Sequence, residues 1–411
     1  MSGYGPGALL FGENEIKEVM EVLNSGYLYR YGDADDSSFK KKVLKFEDNL
    51  RAYFDVPHAI AMNSGSSTLL SALAALGIGP GDEVIVPGYT FIASISSIIN
   101  ARAVPVLAEV DLSLTIDPAD IERKITSRTK AIIPVHMIGN PCDMDSIMRI
   151  AKEHNLYVIE DACQGMGGSY KGKKLGTIGD IGCFSLNRFK PINTGDGGAL
   201  VTRSEELYKR AYAFHDQGHL PMREGAEEGS RTIFGLNFRM HELTAAVAIG
   251  QFDRMDTILE TLRRNKKIMK DEIAKVPGAQ FRTINDPGEC ATLLTLCFDT
   301  QEKAEAFASA MNTRTVHHSG WHVYDRMEHL LNRSTPTDFK CPFTCPLNAY
   351  EPEYTKGMLP FTTDLLKRSV TIGIGVSDKG NGAGIGISVL SSEEEVLAMA
   401  KKVTGVLAGI L

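Results

Sequence analysis

The sequence predicts an α/β fold, a mostly parallel sheet covered by helices on both faces, followed by a smaller α+β region. Short apolar runs recur between residues 59 and 185, too continuous for half-exposed strands. Helically spaced segments separate them, as in a parallel sheet buried on both sides. The pattern then changes after about residue 255, where strand-like pieces and an acidic helix replace the alternation. A chain of 411 residues exceeds one average domain. The boundary is expected near 255–275, giving an N-terminal segment and large domain over 1–255 and a small C-terminal domain over 256–411.

In chain order, residues 14–23 have helical spacing (Ile16, Val19, Met20, Val22, Leu23) and stop at Ser25-Gly26. Residues 26–38, rich in aromatics and acids, read as an irregular loop near a surface or site. Strands are expected at 59–62, 83–86, 104–110, 131–135, 156–159 and 181–185, with helices at 64–76 and 91–101. A single long amphipathic helix is expected over 241–269 (Leu243, Val247, Ile249, Phe252, Met255, Ile258, Leu262), long enough to bridge domains. A strand at 291–298 and an acidic helix at 302–311 follow. Residues 312–367 are Pro-, aromatic- and His-rich and weakly periodic, and a helix at 392–407 closes the chain.

Apolar residues make up 43% and charged residues 23%, ordinary for a protein with a sizeable core. The net charge of −7 gives no basic footprint, so no nucleic-acid partner is expected. Met1-Ser2-Gly3-Tyr4-Gly5 lacks the regions of a signal peptide, and no apolar run reaches about 18 residues, so no membrane span is expected. Seven cysteines form no disulfide framework and fit reduced thiols in a cytoplasm. Cys341 and Cys345 have half the spacing of a zinc site, without a second ligand pair.

Chemistry concentrates where parallel sheets present ligands, at the carboxyl ends of strands. Asp161 and Gln164 follow the strand at 156–159. Ser185 ends the next strand, and Lys190 lies five residues later, before Gly195-Asp196-Gly197-Gly198. A carboxylate, a hydroxyl and an amine in this order suit pyridoxal 5′-phosphate (PLP). The lysine amine holds its aldehyde as a Schiff base, and the aspartate keeps its pyridine nitrogen protonated. Gln164 reaches the same face and the ring's phenolic oxygen. Read singly, Asp161 is equally a helix cap and Lys190 a solvated surface lysine. Asn63-Ser64-Gly65-Ser66-Ser67-Thr68 joins a strand to a helix. It is either a phosphate seat of free N–H groups and hydroxyls or a plain serine cap. Phe91 stacks on a cofactor ring or belongs to the core. His136 is a strand-end histidine with a structural alternative, and His317, His318 and His322 read as substrate-side or surface residues.

Taken together, these motifs resemble the DegT/DnrJ/StrS sugar aminotransferases, a branch of fold-type I PLP-dependent transferases. The similarity runs over about 13–251 and continues more loosely to the end. It rests on Gly79-Pro-Gly-Asp-Glu-Val-Ile-Val-Pro87, Tyr89-Thr-Phe91, Ile133-Pro-Val-His136, Ile159-Glu-Asp-Ala162 with Gln164, Cys183-Phe-Ser185 with Lys190, and Gly195-Asp-Gly-Gly198. The resemblance implies a seven-stranded-type sheet. Lys190 is then the Schiff-base lysine, Asp161 the partner of the pyridine nitrogen, Gln164 the contact of the ring oxygen and Phe91 the stacking residue. Gly65, Ser66 and Ser185 become phosphate ligands. Asn237, within Gly235-Leu-Asn-Phe-Arg-Met240, implies a crossing to the neighbouring subunit's phosphate and hence a homodimer with shared sites. Glutamate or glutamine is the implied amino donor and a keto-sugar or keto-cyclitol the acceptor. Arg239 is read equally as a ligand for a substrate carboxylate or phosphate and as a salt-bridge residue. Ser25-Gly-Tyr-Leu-Tyr-Arg30 and Gly320-Trp-His322 resemble the transaminase that makes 8-amino-3,8-dideoxy-octulosonate.

Ser66-Ser67, Leu186, Pro191 and Asp196 depart from the usual pattern without removing its hydroxyl, charge or flexibility. The loop at 217–230 and the stretch 312–367 are expected to line the substrate side. Two alternatives remain: a PLP-dependent sugar dehydratase, which has histidine where Lys190 stands, and a non-catalytic sensor binding PLP or sugar.

Overall fold

The computed structural model describes residues 3–33, 35–221, 233–378 and 383–411. Most of the loop expected on the substrate side at 217–230 therefore lies outside the described residues. β1 (His58–Met62), β2 (Glu83–Pro87), β3 (Val104–Ala108), β4 (Thr129–Ile132) and β5 (Tyr157–Asp161) come first in the chain. A small hairpin of β6 (Ser169–Tyr170) and β7 (Lys173–Lys174) precedes β8 (Ile181–Ser185) and β9 (Gly198–Thr202). The large sheet has seven strands in the order β1-β9-β8-β5-β4-β2-β3. Only β9 runs antiparallel to its neighbours, β1 and β8.

Alternate residues of these strands enter two different cores, because successive side chains leave a strand on opposite faces. Ile60, Met62, Val84, Val86, Ile159, Cys183 and Leu200 pack with the Gly65–Ala75 and Ile92–Asn100 helices. Ala59, Ala61, Ile85, Ile132, Val158, Phe184 and Val201 pack with the Lys42–Phe54, Met144–His154 and Glu242–Phe252 helices. A third cluster joins Leu294, Leu296, Val370 and Ile372 to the Met255–Ile273, Gln301–Ala310 and Glu393–Ala408 helices. Its sheet is antiparallel throughout, in the order β10 (Gln280–Phe281), β11 (Leu293–Cys297), β12 (Ser369–Gly373).

The expected helix ends have local causes. Gly26 closes the Glu13–Ser25 helix at φ +71°, where only glycine rests without strain. Ser392 and Glu395 form a capping box at the start of the last helix.

Four features differ from the sequence expectation. β4 stops at Ile132 because Pro134 has no N–H to donate, and Val135 retains only an isolated bridge to Asp161. β3 ends at Ala108 rather than at Val110, whose N–H bonds instead to the Thr362 hydroxyl at 2.9 Å. β9, Gly198–Thr202, has no counterpart among the expected strands; its short apolar run starts immediately after the glycines. The expected long helix is two, Glu242–Phe252 and Met255–Ile273, broken at Asp253-Arg254. There the Arg254 side chain bonds the Leu10 carbonyl at 2.7 Å and pairs with buried Glu15. The break lets the first helix pack on Glu13–Ser25 and Lys42–Phe54, and the second on Glu393–Ala408.

The weakly periodic 312–367 stretch is not a separate layer. Val316, Val323, Tyr324, Met327, Phe343, Leu359 and Leu365 are buried in the first core of the large sheet. Its backbone bonds link it to the segment after β2, through Thr90 N to His322 O and Ile92 N to Trp321 O, each 2.9 Å.

Candidate active site

Asp161 is the last residue of β5 and is 4% exposed. Its Oδ2 accepts from the Ser94 hydroxyl at 2.6 Å, and its Oδ1 from the Cys163 backbone N–H at 3.1 Å. Ser94 in turn meets Thr90 Oγ1 at 2.7 Å. A carboxylate has about four acceptor sites, so Asp161 is held in orientation with capacity to spare.

Lys190 sits at the apex of the loop between β8 and β9, half-buried. Its backbone N–H closes onto Asn187 O at 2.9 Å, inside a turn fixed by Asn187 Oδ1 on Phe189 N at 3.1 Å. The amine makes no hydrogen bond to a described residue. Burial pushes it below the ordinary lysine range, against the opposing pull of Cys163, Asp161 and Asp378. Burial and the Asp161 charge push the neighbouring Cys163 thiol well up, so it stands as a neutral group.

The start of the Gly65–Ala75 helix lies beside these residues. Ser64 caps the Gly65–Ala75 helix, its hydroxyl accepting from Ser67 N at 3.0 Å. The Gly65 and Ser66 N–H groups have no partner among the described residues and stand at the positive end of the helix. The capping reading holds for Ser64, and the cap leaves the next two N–H groups over. The backbone is packed too tightly for side chains. A Cβ on Gly65 would lie 2.8 Å from Ser185 Cβ and 3.1 Å from Cys163 Sγ; one on Gly198 would lie 2.5 Å from Ser64 O. Gly65, Ser185, Cys163, Asp161 and Lys190 thus converge from three strand ends.

Residues 10–374 match the profile of the DegT/DnrJ/EryC1/StrS aminotransferase family. The chain belongs to this family. Its aminotransferases are PLP-dependent, and the fold is fold-type I. GDP-perosamine synthase of Caulobacter vibrioides is 41% identical over 61% of the chain and 65% of its own length, slightly under two thirds. An L-glutamine:2-deoxy-scyllo-inosose aminotransferase of Streptoalloteichus tenebrarius is 36% identical over 58% of the chain and 60% of its own length. Among solved structures, an aminotransferase from Psychrobacter cryohalolentis superposes with a TM-score of 0.77 at 28% identity, covering 97% of this chain and 98% of that one.

The side chains present fit the family's cofactor. Unpaired N–H groups suit a phosphate, a buried acid with spare acceptor sites suits a ring N–H, and an unpartnered amine suits an aldehyde. Gln164 is held on the Met137–Gly139 turn: its Oε1 accepts from Ile138 N at 3.1 Å, and its Nε2 donates to Met137 Sδ at 3.4 Å. Phe91 is 42% exposed and not in the core, so the bland reading of this residue falls away. Its ring centroid is 5.3 Å from that of His322. Asn237 is exposed on a bridge to Asp216, between exposed Leu236 and half-buried Phe238.

The other candidates divide. His136 is structural: Nδ1 accepts from Cys142 N at 3.1 Å, so Nε2 carries the proton and donates to Glu160 at 2.9 Å. Arg239 is taken up by Asp216, with Tyr31 on the same carboxylate, which favours the salt-bridge reading. Arg30 is buried on Glu47 at 2.9 Å and on the Ala61 carbonyl at 3.3 Å, away from any solvent-facing role. His317 pairs with Asp325 at 3.1 Å and lines a hollow of about 340 Å³ with Arg326, Lys356 and Lys367. Cys341 and Cys345 are free thiols, and the described residues hold no cluster of three metal-ligating side chains.

Ser94 and Asp378 were not singled out from sequence, and His322 was read only as a substrate-side or surface residue. His322 is buried beside Lys190; burial, reinforced by the lysine's charge, holds its imidazole neutral, down to about 3. Ser94 had a local signal, lying one helical turn after Thr90. The other two arrive from far along the chain.

Proposed function

We propose that this protein is a PLP-dependent aminotransferase that moves an amino group from glutamate or glutamine to a keto-sugar or keto-cyclitol. The observation that supports it most is Asp161, buried, oriented by two donors and left with acceptor capacity facing an unpartnered Lys190 amine. Bound PLP supplies an electron sink for the carbon that loses a proton. The protein's own residues do the rest. Gly65 and Ser66 N–H with the Ser185 hydroxyl bind phosphate. Asp161 holds a proton on the ring nitrogen. Gln164 donates to the ring oxygen, and Phe91 covers one ring face against water. Lys190 Nζ, its proton affinity reduced by burial, takes and returns the proton as base and acid. His322, neutral, adds no positive charge beside it.

The acceptor class follows the perosamine and scyllo-inosose names of the relatives. An acceptor of the 8-amino-3,8-dideoxy-octulosonate type rests on the resemblance of residues 25–30 and 320–322, with Arg30 itself committed to Glu47. Lys190 speaks against the dehydratase, and the intact Lys190–Asp161–Gln164 set against a silent sensor.

A homodimer is part of the proposal. Ile16, Met20 and Leu23 form an exposed apolar stripe on the Glu13–Ser25 helix, and Phe11, Phe234 and Leu236 are also exposed. Asn237 lies in the segment that carries Phe234 and Leu236, where a second copy would bring it to the neighbour's phosphate. The placement is cytoplasmic: all seven cysteines are free thiols, and no described helix is long and apolar enough to cross a membrane.

The test is an absorbance scan of the PLP-loaded protein before and after glutamate or glutamine, followed by mass analysis with a panel of keto-sugars and keto-cyclitols. A visible band that shifts with the donor and an acceptor that gains one amino group are expected. A band unmoved by any amino donor would end this reading.

A further inference from the structure

The loop that carries Lys190 is gripped by a distant part of the chain. Residues 3–7 alternate glycine with Tyr4 and Pro6; residues 3–5 run extended between two loops, and Pro6-Gly7 open the short Pro6–Leu9 helix. On one side Gly5 N donates to Arg188 O at 3.0 Å. On the other, Tyr4 N donates to Ser377 O at 2.9 Å and Ser377 N to Tyr4 O at 2.8 Å. Ser377 precedes Asp378, one of the acids whose charge reaches the Lys190 amine.

Each glycine stands where a Cβ has no room. A Cβ on Gly3 would lie 2.3 Å from Ser377 O and 2.8 Å from Phe189 Cε1; on Gly5, 2.3 Å from Phe189 C and O; on Gly7, 2.8 Å from Asn193 N. Gly5 has φ −109° and ψ 175°, which any residue adopts, so close approach rather than backbone freedom demands glycine there. The bonded backbone and the backbone clashes fall on 188–193 and 377; at Gly7 the Gln251 Oε1, which itself accepts from Asn193 N, is closer still at 2.5 Å. This segment contacts the lysine loop and the Asp378 loop together.

We propose that residues 3–7 are a positioning strap, which holds Lys190 and Asp378 in register so that the lysine amine meets the cofactor at a fixed distance from that acid. The proposal rests on Lys190 as the cofactor lysine. The strap touches neither the cofactor nor the substrate. It acts through the Phe189–Lys190 backbone and through Ser377.

The test uses the full-length PLP-loaded protein and three variants. Gly5→Ala forces a methyl against the Phe189 carbonyl. A deletion of residues 2–5 removes the strap without inserting bulk. Gly12→Ala is the control, since a Cβ there meets nothing within 4 Å. The readouts are the pH at which the visible cofactor band titrates, the yield of borohydride trapping on Lys190 by peptide mapping, and thermal unfolding. The expected result is a titration midpoint moved down by about half a pH unit or more in both strap variants, as Asp378 withdraws its charge. Trapping yield falls with it, and Gly12→Ala matches the unchanged protein. A lowered melting temperature with an unmoved midpoint and full trapping would make the strap merely structural and overturn the proposal. Should Gly5→Ala not fold, the deletion variant decides by the same readouts. Trapping on another lysine in the unchanged protein is a separate failure, of the cofactor assignment itself.

Discussion

Glu160 and Asp161 are neighbours at the end of β5, yet one belongs to the scaffold and the other to the site. Glu160 is fully buried, and its carboxylate receives four donors: His136 Nε2 at 2.9 Å, Gly176 N at 2.8 Å, and Ile178 N and Gly179 N at 2.6 Å each. Every acceptor site is used, which ties the segment before β8 to β5. Asp161 receives two donors, and Lys190 and the start of the Gly65–Ala75 helix lie on its side. Strand alternation sends the two acids to opposite faces, and the number of donors waiting there decides their roles. A saturated acid is structural, and an oriented acid with sites to spare is available for chemistry.

Substitutions can break this contrast, beginning with the largest effect. Lys190→Ala should lower transfer by about a thousandfold or more, near 4 kcal/mol in the barrier, with little change in the unfolding midpoint; steady-state kinetics and urea melts check both halves. On the scaffold side the signature reverses. Glu160→Gln places an NH2 against backbone donors and should cost about 3 kcal/mol of stability, while the folded fraction keeps its rate per site. Asp161→Asn should lower turnover about a hundredfold through the lost charge and leave the midpoint nearly in place. A large stability loss in Asp161→Asn, or a large rate loss in Glu160→Gln, would dissolve the distinction. Ser94→Ala, which removes one donor from Asp161, sharpens it: about a tenfold loss of rate is expected, recovered in part by Ser94→Thr.

The gentlest effect is a pH slope. Burial holds His215 and His322 neutral, each down to about 3, against about 6.5 in an unfolded chain. Between these values the unfolded state binds more protons, so stability falls as pH drops from about 6.5 toward 3. His322→Gln should flatten part of that slope in denaturant melts across the range.

Much of this was legible early because it is local. The apolar strand runs, the Gly26 stop and the Ser392 cap need only neighbours a few residues away. The Asn63–Thr68 string announced a capped helix start with N–H groups left over, as any helix start leaves them. What misled was also local: 241–269 keeps helical periodicity across Asp253-Arg254, and nothing in that run shows that its halves serve different cores. Arg239 read equally as a ligand and as a salt-bridge residue until Asp216, distant in sequence, was seen to occupy it.

By itself the sequence determined the fold class, the family and the order of chemical groups along the sheet's edge, since periodicity and motif spacing survive in one dimension. Tertiary structure alone decided which of two adjacent acids is saturated, which arginines are occupied, and that His322, Asp378 and the strap at residues 3–7 gather around Lys190. Those facts are distances between parts of the chain that share no local pattern, and only packing sets them.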